Sequence, residues 1–261
     1  MTFVIAEAGV NHGGKLATAF KLCDAAKAAG ADAVKFQHFN SRALWGDDRI
    51  YNLELSDADI QVIAKHCAYI GLEFACTPFG VREVGVIAPL VKRIKVASGC
   101  LEKFDLLHAI GDTELPVILS TGMSDLGMIY TATSALGWPE DLTFLHCTSA
   151  YPCPIDQVNL SAMDALRKAW GGKNKVGYSD HTKGITIAIA AAAMGATVIE
   201  KHLTLDCKAD GPDHKASIEP FDFRVMVSAI RTVEQALGNC GKRVMPSETK
   251  LREQWHGGNL A

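Results

Sequence analysis

Glu7 sits in the middle of the apolar run FVIAEAG, where a carboxylate is costly to bury without a cation or donor beside it. His181 follows the run KVGYSD, and His202 lies in TVIEKHLT. Two imidazoles with oxygen ligands and open positions suit Mn²⁺, Fe²⁺ or Zn²⁺. Three lysines, Lys35, Lys95 and Lys201, also stand in apolar runs. Desolvation there lowers an amine's pKa, as a Schiff-base lysine requires. An ammonium kept charged among hydroxyls instead holds phosphate or carboxylate. Hydroxyls are at hand, because Thr77, Ser98, Ser120, Thr121, Thr148, Ser149 and Ser179 close successive apolar runs. Singly, each is an ordinary cap for the next turn. Five runs ending this way, with Gly99 and Gly122 exposing backbone amides, read as an anion site. His66, His108 and His256 fall on helical or terminal segments as ordinary surface or packing residues, and His146 reads as a hydrogen-bonded core residue.

The elements that must position these groups alternate steadily. Short β-rich runs are FVIAEAG, DAVKFQ, LEFACT, RIKVAS, PVILST, LTFLHCT, KVGYSD and TVIEKHLT. Helical stretches separate them. Ser56 with Asp59 reads as an N-cap with an acid in the first turn, Gly30 and Gly71 stand where helices should stop, and Gly238 closes the last helix, FDFRVMVSAIRTVEQALG. Eight strand and helix units of about 30 residues predict a single-domain α/β fold, the (β/α)8 TIM barrel, over residues 1–241, with 242–261 as a C-terminal tail. An open doubly wound sheet would carry a glycine fingerprint after its first strand, and NHGGK is not one. The one long connection runs from about His38 to Leu55. In a barrel the C-terminal strand ends share one mouth. Glu7, His181 and His202 then come together on three adjacent strands.

Composition narrows the class. The 261 residues are 48% hydrophobic and 21% charged, with 26 basic and 29 acidic side chains and a net charge of −3. That is a globular composition, without the basic stripe of a nucleic-acid binder. The eight cysteines (Cys23, Cys67, Cys76, Cys100, Cys147, Cys153, Cys207 and Cys240) form no CxxC pair, so reduced thiols in a cytoplasmic protein are expected. FVIAEAGV lacks the basic region of a signal peptide. The uncharged stretch from Gly184 to Ile199 is shorter than the roughly 20 residues of a membrane span and is divided by Gly195, so it reads as core.

The segments IAEAGVNHGG, VKFQ, TPF, KVASG, LSTGM, HCTSAYP, GYSDHT, IEKH and GPDH resemble, in order, the barrel of the N-acetylneuraminate (sialic acid) synthase family. The resemblance runs from about residue 3 to residue 240. It implies a phosphoenolpyruvate site built from Lys35, Thr77, Lys95, Ser98, Ser120 and Ser179, with Ser149 nearby. It implies a divalent metal, Mn²⁺ or Mg²⁺, on His181 and His202, and Glu7 as the catalytic carboxylate beside it. Gln37, Tyr151 and Asp213 match positions that face the sugar. The activity implied is condensation of phosphoenolpyruvate with an open-chain aldose, giving a 2-keto-3-deoxy acid and phosphate. The partners are then small molecules, without nucleic acid or membrane, and a homodimer through barrel faces is expected on general grounds.

Three departures from the family lie on the sugar side. An acid commonly follows SG in the fourth strand; Cys100 stands there, and Glu102 is the next carboxylate. A thiol is a poor substitute for a bidentate acceptor. The loop after VKFQ is shorter than the family's. The family usually continues into a small antifreeze-like domain that supplies an arginine to a partner's site, whereas this sequence reads as barrel only. An acceptor other than N-acetylmannosamine is therefore expected: a related acylamino sugar, another aldose or a smaller aldehyde. Two rival readings are a Schiff-base aldolase of a 2-keto acid on Lys35 or Lys95 and a phosphoenolpyruvate-binding pseudoenzyme.

Overall fold

A computed structural model describes residues 1–46, 50–170, 172, 174–238 and 241–256; Cys240, the side chain of His256 and tail residues 257–261 lie outside the described residues. Eight parallel strands close into a barrel in sequence order: β1 (Phe3–Gly9), β2 (Ala33–His38), β3 (Glu73–Pro78), β4 (Ile94–Val96), β5 (Val117–Ser120), β6 (Leu142–His146), β7 (Lys175–Asp180) and β8 (Val198–His202). The ladder between β1 and β8, from Phe3↔Val198 to Glu7↔His202, closes it. The helices are α1 (Leu16–Ala28), α2 (Ser41–Trp45), α3 (Asp57–Tyr69), α4 (Val81–Ile87), α5 (Phe104–Gly111), α6 (Leu126–Ala135), α7 (Ala162–Trp170), α8 (Thr186–Ala193), α9 (Pro220–Leu237) and α10 (Thr249–His256). One follows each strand, α2 lies within the long connection before α3, and α10 lies in the tail.

Local chemistry explains several boundaries. The Ser56 hydroxyl accepts from the Asp59 amide while the Asp59 carboxylate accepts from the Ser56 amide, a reciprocal cap that starts α3. The stretch from Gly184 to Ile199 divides into α8 and β8 around Gly195, as its composition predicts. Among the described residues no helix is long and apolar enough to cross a membrane. Several strands are shorter than their sequence runs, and two of these cases bear on the site. Hydrogen-bonded β4 stops at Val96, leaving Ser98 in a 3-10 turn (Ser98–Cys100), and β6 stops at His146, leaving Thr148 and Ser149 in the following loop. Those hydroxyls stand just above the strands rather than on them.

Two apolar layers hold the barrel. The larger lies between strands and helices, where Phe36, Phe144, Tyr178 and Phe223 are fully buried, each contributing about 1.5–3 kcal/mol. The smaller lies inside the barrel at its lower end, where Phe3 packs against Ile5, Ala33, Ile118, Leu145 and Val198. Side chains alternate along a strand, so the next inward position up β1 is Glu7, up β2 is Lys35 and up β8 is Glu200. The barrel interior changes there from hydrocarbon to charge.

Candidate active site

Pairing register sets the charged layer. Glu7 is level with Lys35 on β2 and with His202 on β8, and Ser179 on β7 is level with Glu200. Lys35 Nζ lies 2.9 Å from Glu7 Oε2 and 3.4 Å from Glu200 Oε2, and it donates to Thr77 Oγ1 at 3.0 Å. Lys95 Nζ lies 3.7 Å from Glu200 Oε1 and donates to Ser120 Oγ at 2.6 Å. Ser179 Oγ donates to Glu200 Oε1 at 2.8 Å, and Gln37 Nε2 donates to Glu7 Oε1 at 3.1 Å. All four charges are at least 97% buried, so each depends on these partners for solvation.

Their acidities diverge accordingly. Burial pushes the Glu7 carboxyl above its ordinary value, against the pull of Lys35. Burial opposes ionisation of Glu200 too, but Lys35, Lys95 and the Ser179 hydroxyl together hold it down at about 2. For Lys35, burial is outweighed by Glu200 and Glu7, which raise the amine above its ordinary value. Lys95 goes the other way: burial lowers it, and Glu200 offsets only part of that effect. One carboxyl inclined to hold a proton and one held ionised, in the same cavity, is a division that serves acid and base roles.

The mouth above this layer is aromatic and imidazole-rich. His181 Nδ1 donates to the Thr148 carbonyl at 2.7 Å, which leaves Nε2 as the ring's lone-pair nitrogen. Burial, with His202 beside it, holds the His181 imidazole at about 4, neutral at pH 7 and therefore in the ligating form. The two rings lie 5.5 Å apart, and Tyr151 packs on His181 at 4.1 Å and on His202 at 5.7 Å. His202 Nδ1 is buried without a hydrogen-bond partner, with Asp213 Oδ2 3.6 Å away. The two imidazoles, His181 with Nε2 free and His202 with Nδ1 unpartnered, could supply part of the coordination of a divalent ion. Among the described residues no three His, Cys, Asp or Glu side chains converge closely enough to hold an ion unaided, so substrate oxygens or water would have to complete its shell.

Hydroxyls form the opposite wall. Gly122 N donates to Ser98 Oγ at 2.9 Å, and Ser98 Oγ lies 3.2 Å from Cys147 Sγ. A Cβ on Gly122 would stand 2.3 Å from Ser149 Oγ and 2.9 Å from Ser98 Oγ, so only glycine lets these hydroxyls converge.

One cavity of about 310 Å³ is lined by Glu7, Lys35, Gln37, Thr77, Lys95, Ser98, Ser120, Ser149, Tyr151, Ser179, His181 and His202. Asp213 joins its edge through His202. The site residues read from sequence are thus brought together. Glu200 also lines the cavity and is the site residue that sequence reasoning misses; its signal is a second carboxylate in an apolar run, two residues from His202 on the same strand face. Lys201 is turned outward instead, where its Nζ pairs with Asp180 Oδ2 at 2.9 Å, both side chains fully buried. It cannot serve as a Schiff-base lysine in this cavity. Cys100 is buried in the outer core and Glu102 is exposed; neither lines the cavity. Of the histidines read as packing residues, His146 Nε2 lies 2.8 Å from the Val158 carbonyl and His66 Nε2 lies 2.7 Å from Asp24 Oδ1.

Comparison with known proteins identifies the family and the fold. Residues 22–242 match the model of the NeuB family. The chain is 39% identical over 273 residues to an N,N'-diacetyllegionaminic acid synthase of Campylobacter jejuni, covering 95% of this chain and 81% of that protein. It is 34% identical over 274 residues to the human N-acetylneuraminate-9-phosphate synthase, covering 97% and 76%. The crystal structure of an N-acetylneuraminic acid (sialic acid) synthetase from Leptospira borgpetersenii superposes with a TM-score of 0.90 at 34% identity, covering 97% of this chain and 90% of that one.

Proposed function

This chain belongs to the NeuB family, and from that premise we propose that it condenses phosphoenolpyruvate with an open-chain acylamino aldose, releasing phosphate and a sialic-acid-like 2-keto-3-deoxy acid. The observation that carries the reading is the division of one cavity into an anion wall of Lys35, Lys95, Ser98, Ser120 and Ser149 and an imidazole wall of His181 and His202.

The lysines and hydroxyls hold the phosphate and carboxylate of phosphoenolpyruvate in place through the change of charge, which is electrostatic preorganisation. The C2–C3 π pair of phosphoenolpyruvate forms the bond to the aldehyde carbon while the aldehyde C=O π pair moves to its oxygen, which takes up a proton. Water adds at C2, and the C2–O bond to phosphate breaks as the C2 hydroxyl loses its proton to become the ketone. Glu7, its affinity for a proton raised by burial, takes the proton from the water that adds at C2. Glu200 keeps Lys35 protonated. Gln37 orients the Glu7 carboxylate, and Tyr151 and Asp213 face the acceptor. A divalent ion, Mn²⁺ or Mg²⁺, held by His181 and His202 would supply Lewis acidity toward the aldehyde oxygen.

The acceptor differs from N-acetylmannosamine in this reading, because neither Cys100 nor Glu102 brings a carboxylate into the cavity. The legionaminic-type relative favours a diacylamino hexose. Phosphate release from phosphoenolpyruvate with Mn²⁺ and an aldose panel tests both parts. Efficient turnover of N-acetylmannosamine would overturn the acceptor assignment, and no release with any aldose would overturn condensation. His181→Ala is expected to stay folded while losing Mn²⁺ binding by calorimetry. The Schiff-base alternative narrows to Lys95, the cavity amine that burial depresses; borohydride trapping of pyruvate there, with activity insensitive to chelator, would favour it.

A further inference from the structure

The NHGG segment after β1 takes no part in the chemistry above, yet Asn11 is 94% buried. Its Nδ2 donates twice, to the Leu203 carbonyl at 2.9 Å and to Ser217 Oγ at 2.9 Å. Ser217 Oγ in turn donates to the Asp213 carbonyl at 2.7 Å. One side chain therefore joins three segments: the first βα loop, the residue after β8, and the turn that carries Asp213. That turn brings the Asp213 carboxylate over Gly9, where the backbone has φ +52° and a Cβ would stand 2.8 Å from Asp213 Oδ2. The same carboxylate oxygen lies 3.6 Å from His202 Nδ1.

We propose that Asn11 is the positioning residue of the acceptor wall: through Ser217 it fixes the Asp213 turn, and so the distance between Asp213 and His202. The turn holds a short 3-10 segment (His214–Ala216), and its other ties to the end of β8 lie C-terminal to Asp213: the Ile218 amide to the His202 carbonyl at 2.9 Å, the Thr204 amide to the Ile218 carbonyl at 3.0 Å, and Thr204 Oγ1 with His214 Nδ1 at 2.7 Å. A carboxylate on a loop holds a fixed place only when hydrogen bonds to rigid elements hold its backbone. Asn11 donates one bond to the Leu203 carbonyl and one to the Ser217 hydroxyl that in turn holds the Asp213 carbonyl, both from the amide at its side-chain end, so an alanine there removes both and leaves β1 in place. The kinetic arm of the inference rests on the proposed condensation; the structural arm does not.

Two variants test it, Asn11→Ala and Ser217→Ala, the second breaking only the middle link. Amide hydrogen exchange on the protein without substrates is expected to quicken across residues 204–218 by about five- to tenfold, the size of one lost hydrogen bond, with β3 to β6 unchanged. With the aldose that the wild type turns over, KM for the acceptor rises by a similar factor while KM for phosphoenolpyruvate stays constant. In an Asp213→Asn background, Asn11→Ala adds no further rise. Unchanged exchange over 204–218 overturns the positioning role, whatever the reaction turns out to be. Equal rises in both KM values, or additive effects with Asp213→Asn, overturn it as well, since they mark general loosening of the barrel. If exchange responds as expected and no aldose is turned over even by wild type, the positioning stands and the condensation reading alone fails.

Discussion

Removing the Lys201 ammonium by Lys201→Met should destabilise the barrel by about 3–5 kcal/mol, the cost of leaving a buried charge without its partner. The pair it breaks is fully buried, with 2.9 Å between Lys201 Nζ and Asp180 Oδ2. At an effective dielectric of about 20, Coulomb attraction at that distance is about 6 kcal/mol. Burying each ion opposes it by several kcal/mol, and burial indeed pulls the Lys201 amine below its ordinary value despite Asp180. The intact pair therefore adds little net stability, and the loss appears only when one member is left alone. Asp180 would keep the Tyr178 hydroxyl at 3.3 Å and the Thr182 amide and hydroxyl at 2.9 and 2.8 Å, all on Oδ1, while Oδ2 loses its cation. Asp180→Asn with Lys201→Met removes both charges and should return stability to within about 1 kcal/mol of wild type, because no ion remains to be desolvated. Urea unfolding followed by circular dichroism reads the first transition of each variant. A Lys201→Met cost below about 1 kcal/mol, or a double variant as weak as the single one, would refute the argument.

Other substitutions probe the cavity and the barrel seam. Gly122→Ala should spread Ser98 and Ser149, since its Cβ would stand 2.3 Å from Ser149 Oγ; phosphoenolpyruvate protection against thermal unfolding is expected to disappear while the ligand-free melting curve stays near that of wild type. Glu200→Gln removes the carboxylate set between Lys35 and Lys95. Steady-state kinetics should show kcat/KM for phosphoenolpyruvate down roughly 10- to 100-fold, the scale of a lost charge-assisted hydrogen bond. Glu234 on α9 accepts from the Thr2 amide and from Arg231, and although burial opposes this, these partners hold its carboxyl below its ordinary value of 4.5. Its contribution is therefore complete above about pH 4.5 and is lost as pH falls through the folded value. Melting temperature should drop less steeply between pH 5 and 3 in Glu234→Gln than in wild type; identical slopes would remove Glu234 from the acid response.

How far the sequence was readable follows from how local each signal is. Strand and helix boundaries depend on runs of β-branched residues, glycine stops and the Ser56–Asp59 cap, which act within a few residues. The eight strands were legible for that reason. Ser98 and Ser149 lie beyond their hydrogen-bonded strands because pairing stops where neighbouring strands do, a partner's property rather than their own. The site residues were legible where a costly side chain stood in an apolar run, as with Glu7 and Lys35. Asp213 gave no such signal: it lies in a loop, and its place depends on Asn11 and Ser217, contributed by the other end of the chain and by the following turn.

Lys201 and Glu200 show where the division falls. Sequence alone determined that Glu200 and His202 share one face of their strand and Lys201 the other, because side chains alternate with a period of two. It also determined that three such groups in one apolar run needed partners. Only closure of the barrel decided which face points inward. Pairing of β8 with β1 in the register Glu7↔His202 turned Glu200 and His202 into the cavity and Lys201 toward Asp180 in the outer core, and a shift of one residue would have exchanged them. Register is set by packing across the whole barrel, so no window of sequence contains it.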